Sequence, residues 1–170
     1  MSNPALRTWT ADDCGTVRQI AWETWKATYG SFIPEEDLRA YLDAQYADRL
    51  LLEKIRNPSV HGFLASWDHV DAAYMIVTVA AQERRCYVSS VYVLPAFQGK
   101  GIGGTLIAEA GRCARGKGFD RIWLGVMAEN GAARGWYERN GFVFTERAPF
   151  TMGGTTVEHL IGYQLLEGRN

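Results

Sequence analysis

Gln98-Gly99-Lys100-Gly101-Ile102-Gly103-Gly104 is the stretch on which the reading of this 170-residue chain turns. It follows a β-like segment, Cys86 to Leu94, and opens a helix-like one, Thr105 to Arg115. Glycines this dense leave the backbone bare, so several N–H groups converge at a helix N-terminus, where they have no partner within the helix. The helix dipole adds positive potential at the same place, which suits a phosphate or pyrophosphate. Lys100 adds a cation. The stretch is read as a diphosphate-binding turn, and its flanks decide which cofactor carries the diphosphate.

Immediately upstream, Gly62 to Trp67, Ala72 to Ala81 and Cys86 to Leu94 read as three strands, the first two joined through Asp68-His69-Val70-Asp71 as an antiparallel hairpin. The alternation of the third strand fails at Ser89-Ser90, between Val88 and Val91, which predicts a β-bulge and a locally splayed sheet. Downstream, Leu106, Ile107, Ala110 and Cys113 share one helical face, and Gly116 and Gly118 end that helix. Arg121 to Met127 is the next strand, which puts the glycine turn at the crossover of a strand–helix–strand unit. Asn130 caps a short helix reaching about Asn140, and Phe142 to Phe150 and Thr156 to Leu166 are two last strands around Gly153-Gly154.

The N-terminal third is largely helical. After a short strand, Ala5 to Trp9, Thr10 and Asp13 make a capping-box-like start to a helix running to about Thr28. Val17, Ile20, Ala21 and Thr24 form one stripe on it, and Trp22, Trp25 and Tyr29 a second, which either packs under a neighbouring element or walls a cleft. Pro34, with Glu35, Glu36 and Asp37 behind it, reads as proline at the first position of a new helix. A further helix spans Ala47 to Arg56 before Asn57-Pro58. No repeat or linker interrupts the chain, so residues 1–170 are expected to form a single domain of mixed α+β type.

Bulk properties narrow the function classes. A net charge of −1 removes the electrostatic case for a nucleic-acid binder. The longest apolar run, Ala72 to Ala81, is too short for a bilayer. Cys14, Cys86 and Cys113 are scattered, with neither a disulfide framework nor metal-ligand spacing, so no metal is expected. Met1-Ser2-Asn3-Pro4 carries no secretory signal pattern, and a cytoplasmic protein is expected.

Two parses of the glycine turn compete. Gly99-x-Gly101-x-x-Gly104 satisfies the dinucleotide pattern, and Glu129 follows the next strand where a ribose-binding acid belongs. Against this, the unit starts past the middle of the chain and is followed by two strands instead of further strand–helix repeats. Leu94-Pro95-Ala96-Phe97 also separates strand from glycines more widely than a dinucleotide turn does. The Walker pattern fails because Gly99-Lys100 is followed by glycine. The second parse, Gln98-x-x-Gly101-x-Gly103 preceded by Val91-Tyr92-Val93-Leu94-Pro95, closely resembles the coenzyme A motif of the GCN5-related N-acetyltransferase (GNAT) family. Asn130-x-x-Ala133-x-x-x-Tyr137-x-x-x-Gly141-Phe142 resembles that family's second motif, in the expected order and on the expected helix.

The resemblance spans essentially the whole chain. It implies a mixed, mostly antiparallel twisted sheet with helices on both faces, acetyl-CoA as cosubstrate, and acetyl transfer to a primary amine by direct attack in a ternary complex. It implies that the N–H groups of Gln98, Gly99, Lys100, Gly101, Ile102, Gly103 and Gly104 hold the pyrophosphate. Val91 and Val93 would pair their main chains with the pantetheine arm, and the Val93 N–H would face the thioester oxygen. Asn130 would bond the pantetheine region, its plain alternative being a helix cap. Tyr137 would protonate the departing thiolate, for which a phenol of ordinary pKa near 10 is competent; its alternative is an aromatic packed on the sheet. The strand position often held by a glutamate base is Tyr87 here, leaving a water chain, Glu23, Glu35 or Glu36. Thr24-Trp25-x-x-Thr28-Tyr29 with Ile33-Pro34 resembles members acting on small amines, including polyamines. A small-molecule amine is therefore the first expected partner, with a protein N-terminus or lysine second, and a homodimer is compatible. A nicotinamide-dependent oxidoreductase and a coenzyme-A-binding sensor without turnover are the readings from other classes.

Overall fold

The computed structural model describes residues 3–168. Met1 and Ser2, half of the stretch read for a signal, lie outside the described residues. A seven-stranded sheet is built from β1 (Ala5–Thr8), β2 (Val60–Trp67), β3 (Val70–Ala80), β4 (Arg85–Val93), β5 (Arg121–Met127), β6 (Phe142–Met152) and β7 (Thr155–Leu165), in the order β1-β2-β3-β4-β5-β7-β6. Every neighbouring pair is antiparallel except β4 and β5. The helices are α1 (Cys14–Tyr29), α2 (Glu35–Gln45), α3 (Asp48–Arg56), α4 (Ile102–Gly116) and α5 (Gly131–Arg139). No helix among the described residues is long and apolar enough to cross a membrane.

Most boundaries fall within two residues of the sequence reading, and the departures have local causes. The β2–β3 turn is tighter than expected: Asp68 and His69 take φ of 48° and 66°, so a two-residue turn suffices and β3 already begins at Val70. Positive φ at both central residues matches the twist of the flanking strands. Pro34 is extended at φ −56°, ψ 142° and caps α2, where the first helical position was expected. The Thr10–Asp13 capping box forms, and Arg7 grips the Asp13 carboxylate through both oxygens at 2.7 and 2.8 Å. That grip holds the Asp13 pKa down to about 2.

Helices α1–α3 cover one face of the sheet and α4 and α5 the other, each over its own apolar cluster. On α1 both stripes are covered. Val17, Ile20 and Ala21 are buried, and so are Trp25 and Tyr29 of the second stripe. Trp25 meets Tyr46 edge-on at 4.9 Å and Tyr41 at 5.5 Å, whereas Trp22 lies half-buried beneath the Arg39 guanidinium.

The feature that positions the site is the expected bulge. Ile76 pairs with Ser90 and Val77 with Val88, which leaves Ser89 as the extra residue, its hydroxyl bonded to Thr78. The parallel pairing of β4 with β5 is confined to Tyr87 and Trp123. Past that bridge the two strands part and a cleft opens between them.

Candidate active site

The cleft has a volume of about 910 Å³ and runs from the glycine turn, between β4 and β5, to the C-terminal half of α1. Gly99 and Gly101 adopt φ of 75° and 79°, a left-handed conformation that L side chains rarely take. Gly101 caps α4 in that conformation. No N–H from Gly99 to Gly104 has a backbone or side-chain acceptor among the described residues; the α4 ladder begins with Thr105 donating to the Gly101 carbonyl at 3.0 Å. An added Cβ at Gly99, Gly101 or Gly104 would meet nothing within 4 Å. The turn thus offers a row of unpartnered donors around open space, the chemistry a pyrophosphate requires.

The backbone of β4 is arranged for the same purpose. Leu94 donates its N–H to the Ala72 carbonyl at 2.8 Å, which makes Ala73 and Val93 a non-hydrogen-bonded pair. The N–H and C=O of Val93 therefore point away from β3 toward the cleft. Two residues earlier, opposite Met75, Val91 has the same orientation. Gln98, expected as a turn donor, donates its side-chain amide to the Val93 carbonyl at 3.1 Å, so Val93 keeps its N–H alone for a ligand.

Tyr137 stands on the opposite wall, half-buried between Trp136 at 5.2 Å and Phe142 at 5.4 Å between ring centres. Burial, and after it the neighbouring Tyr92 phenol, pushes the Tyr137 hydroxyl well above the ordinary pKa assumed from sequence. Asn130 lines the cleft and also caps α5 by accepting from Ala133 N–H at 3.3 Å, so the cap and the wall coexist in one residue. Toward α1 the lining becomes hydroxylic and aromatic. Tyr29 and Tyr92 join hydroxyls at 3.1 Å, and Tyr46 links Ser90 of the bulge, at 2.9 Å, to the buried Tyr74 hydroxyl, also at 2.9 Å. Burial pushes Tyr92 up to about 12 and Tyr29 well above its ordinary value, so these phenols are neutral.

Val91, Val93, Gln98, Gly99, Gly101, Ile102, Gly103, Gly104, Asn130 and Tyr137 are brought to one cleft. Lys100 is not; its ammonium lies 5.3 Å from the Trp67 ring centre. Neither Tyr87 nor any carboxylate candidate reaches the lining. Tyr87 donates to Glu83 at 2.7 Å, Glu23 accepts from Gln19, Glu35 pairs with Arg39, and Glu36 is exposed. Among the described residues no aspartate or glutamate lines the cleft, and no cluster of His, Cys, Asp or Glu suits a metal. Sequence reasoning missed the Ser90–Tyr46–Tyr74 chain, whose members come from three separate elements with no shared spacing, and the imidazole of His159. An added Cβ on Gly125 of the cleft wall would meet His159 Nδ1 at 2.7 Å.

The fold and the two motifs define an acyl-CoA-dependent N-acetyltransferase, and comparison with known proteins agrees. Residues 16–142 match the model of the acetyltransferase (GNAT) family, and the chain belongs to that family, whose acyl donor is acetyl-CoA. It is similar to the spermidine N(1)-acetyltransferase of Thermoplasma acidophilum, with 27% identity over 139 residues, covering 81% of this chain and 86% of that protein. Among solved structures, the PaiA N-acetyltransferase of Thermoplasma acidophilum in complex with coenzyme A superposes with a TM-score of 0.84 at 23% identity, covering 96% of this chain and 99% of that one. A GCN5-related N-acetyltransferase from Rhodopseudomonas palustris superposes at 0.80 with 19% identity, covering 98% of each chain.

Proposed function

We propose that this chain transfers the acetyl group of acetyl-CoA to the primary amine of a small molecule, by direct attack while both substrates occupy the cleft. The observation that carries the reading is the continuity of that cleft: unpartnered N–H groups at one end, a free strand edge and a phenol in the middle, a neutral hydroxyl-and-aromatic wall at the other.

In this reading the unpartnered N–H groups of Gly99 to Gly104 hold the pyrophosphate, the Gln98 N–H being taken by the Pro95 carbonyl at 3.3 Å, and the inward-facing main chain of Val91 and Val93 holds the pantetheine arm as an added strand would be held. Asn130 contacts the same arm. The Val93 N–H donates to the thioester oxygen, favouring the anionic tetrahedral state over the planar one. Tyr137 donates its proton to the sulfur as the carbon–sulfur bond breaks. Its raised pKa keeps that donor loaded across the neutral range and leaves, after donation, a phenolate basic enough to be reprotonated at once. The amine approaches from the α1 side. Tyrosine oxygens accept its N–H groups and aromatic faces stabilise its residual positive charge. Likeness to a spermidine acetyltransferase supports testing polyamines as acceptors, while the carboxylate-free lining favours an acceptor with one cationic centre inside the cleft.

The test is thiol release from acetyl-CoA across a panel of monoamines, polyamines, amino sugars and peptides with free N-termini. Release with at least one small amine, and faster than with the peptides, is the expected outcome. Tight coenzyme A binding with no release across the panel would instead favour a sensor.

A further inference from the structure

The cleft presents a reaction that needs a base and a lining without a carboxylate. An amine nitrogen becomes positively charged as it bonds to the acetyl carbon, and one of its protons must leave before the product amide can form. Tyr29, Tyr92 and Tyr137 are neutral phenols with raised pKa values, and so are poor acceptors. On the acceptor side of the sheet stands one group of a different kind. His159, on β7, pairs with Met127 and lies on the same sheet face as its neighbour on β5, Gly125. Its ring stacks on Phe150 at 4.3 Å with planes 12° apart, and Tyr41 of α2 packs against Phe150 at 5.7 Å between ring centres. The imidazole is thereby fixed in plane and height. His159 is not itself among the residues lining the cleft; Gly125 is, and the imidazole lies against it from the neighbouring strand, in the space where an added Cβ would come within 2.7 Å of Nδ1 and 3.1 Å of Cε1.

We propose that His159 is the general base of the reaction, taking the proton from the acceptor nitrogen through the gap left by Gly125. The assignment rests on the acetyltransferase reading above. A neutral amine attacks the thioester carbon, and the nitrogen–carbon bond forms with the nitrogen's lone pair. The N–H made acidic by that bond gives its proton to the imidazole. The carbon–sulfur bond breaks with its electron pair on sulfur, which takes the Tyr137 proton. Imidazolium then returns its proton through solvent to the phenolate, and the sum is amine plus acetyl-CoA giving acetamide plus coenzyme A.

The surroundings leave His159 ready to accept. Burial lowers its pKa below the ordinary 6.5, and no charged neighbour opposes that. The carboxylates on that side are engaged elsewhere: Glu146 of β6 with Arg85 at 2.5 Å, and Asp37 of α2 with Gly154 N–H at 2.8 Å and the Thr155 hydroxyl at 2.6 Å. Tyr163 on the same strand lies under Arg121. No hydrogen bond among the described residues holds either ring nitrogen, and neither is a buried unpartnered atom, so the base is both free and wetted. With its pKa lowered by burial, the imidazole favours its neutral, proton-accepting form and loses that function as pH falls through the lowered value.

His159→Gln keeps a planar group against Phe150 and removes the base. With the full-length protein and the best small amine of the panel, kcat should fall on the order of 10²-fold or more, with coenzyme A affinity unchanged. The wild-type kcat should decline below pH 6.5, and that acid limb should vanish in the variant. In His159→Ala, added imidazole should restore part of the lost rate. A His159→Gln rate within threefold of wild type, with the acid limb intact, would overturn the assignment while leaving the acetyltransferase reading standing. Failure of the wild type itself to release thiol with any amine would overturn both.

Discussion

The two halves of the cleft are built from different materials. The half facing α4 is made of backbone: free N–H groups from Gly99 to Gly104 and the inward-turned edge of Val91 and Val93. The half facing α1 is made of side chains, with Thr24, Thr28 and Tyr29 from α1 and Ser90 and Tyr92 from β4 on the lining, Tyr46 bonded to Ser90 behind it and His159 of β7 against Gly125. A backbone cradle binds what all members of a family share and tolerates little change in the few glycines that form it. A side-chain wall can be rebuilt residue by residue for another acceptor while the cradle stays the same.

Mutations should divide along that line, and the sharpest blow falls on the cradle. An added Cβ at Gly103 already touches the Trp136 ring at 3.4 Å, so the two further methyls of Gly103→Val must press that ring or fill the cradle. Coenzyme A affinity measured by calorimetry should fall by at least 10²-fold while the circular dichroism spectrum is kept; an unchanged affinity would remove the pyrophosphate from this turn. Tyr137→Phe, where the halves meet, should lower kcat roughly 10²-fold with little change in coenzyme A affinity. A wild-type kcat there would remove the phenol from the mechanism. Tyr29→Phe, on the side-chain wall, breaks the 3.1 Å bond to Tyr92. Its cost of about 1 kcal/mol should appear as a several-fold rise in KM for the amine and none for acetyl-CoA. If both KM values rise together, the division between the halves is wrong.

The smallest effect on catalysis is expected outside both halves. Asp13 has its carboxylate pKa depressed in the folded chain by Arg7, so the stability it contributes is present above the unfolded value near 3.9 and is lost as pH falls toward 2. Asp13→Asn should lower the unfolding free energy by roughly 2 kcal/mol at pH 7, and the gap from wild type should close by pH 2. Acetyl transfer at pH 7 and room temperature should be nearly unaffected, as checked by steady-state rates.

The same division explains what could be read in advance. Periodicity together with cap signals located the seven strands and five α-helices, and two adjacent serines that break an alternation were enough to find the bulge at Ser89, because backbone geometry leaves its mark on neighbouring residues. The cradle was legible for the same reason, its glycines lying within one heptapeptide. Lys100 shows the limit of that legibility: sequence put its charge on the turn, whereas folding puts the ammonium beside Trp67 on β2. The pKa of Tyr137 likewise depends on its burial beside Trp136 and Phe142 and on the nearby Tyr92 phenol, which no spacing encodes. The acceptor wall was the least legible part. His159 and Gly125 are 34 residues apart and meet only because β7 inserts between β5 and β6.

A single-turnover reaction of the protein with acetyl-CoA labelled in the acetyl group, followed by mass spectrometry of both protein and amine, tests direct transfer in one cleft. The account predicts that the label passes to the amine at the rate of thiol release, and that the protein never carries it. Label accumulating on the protein before the amine is added, or thiol release without a labelled amide, would contradict it.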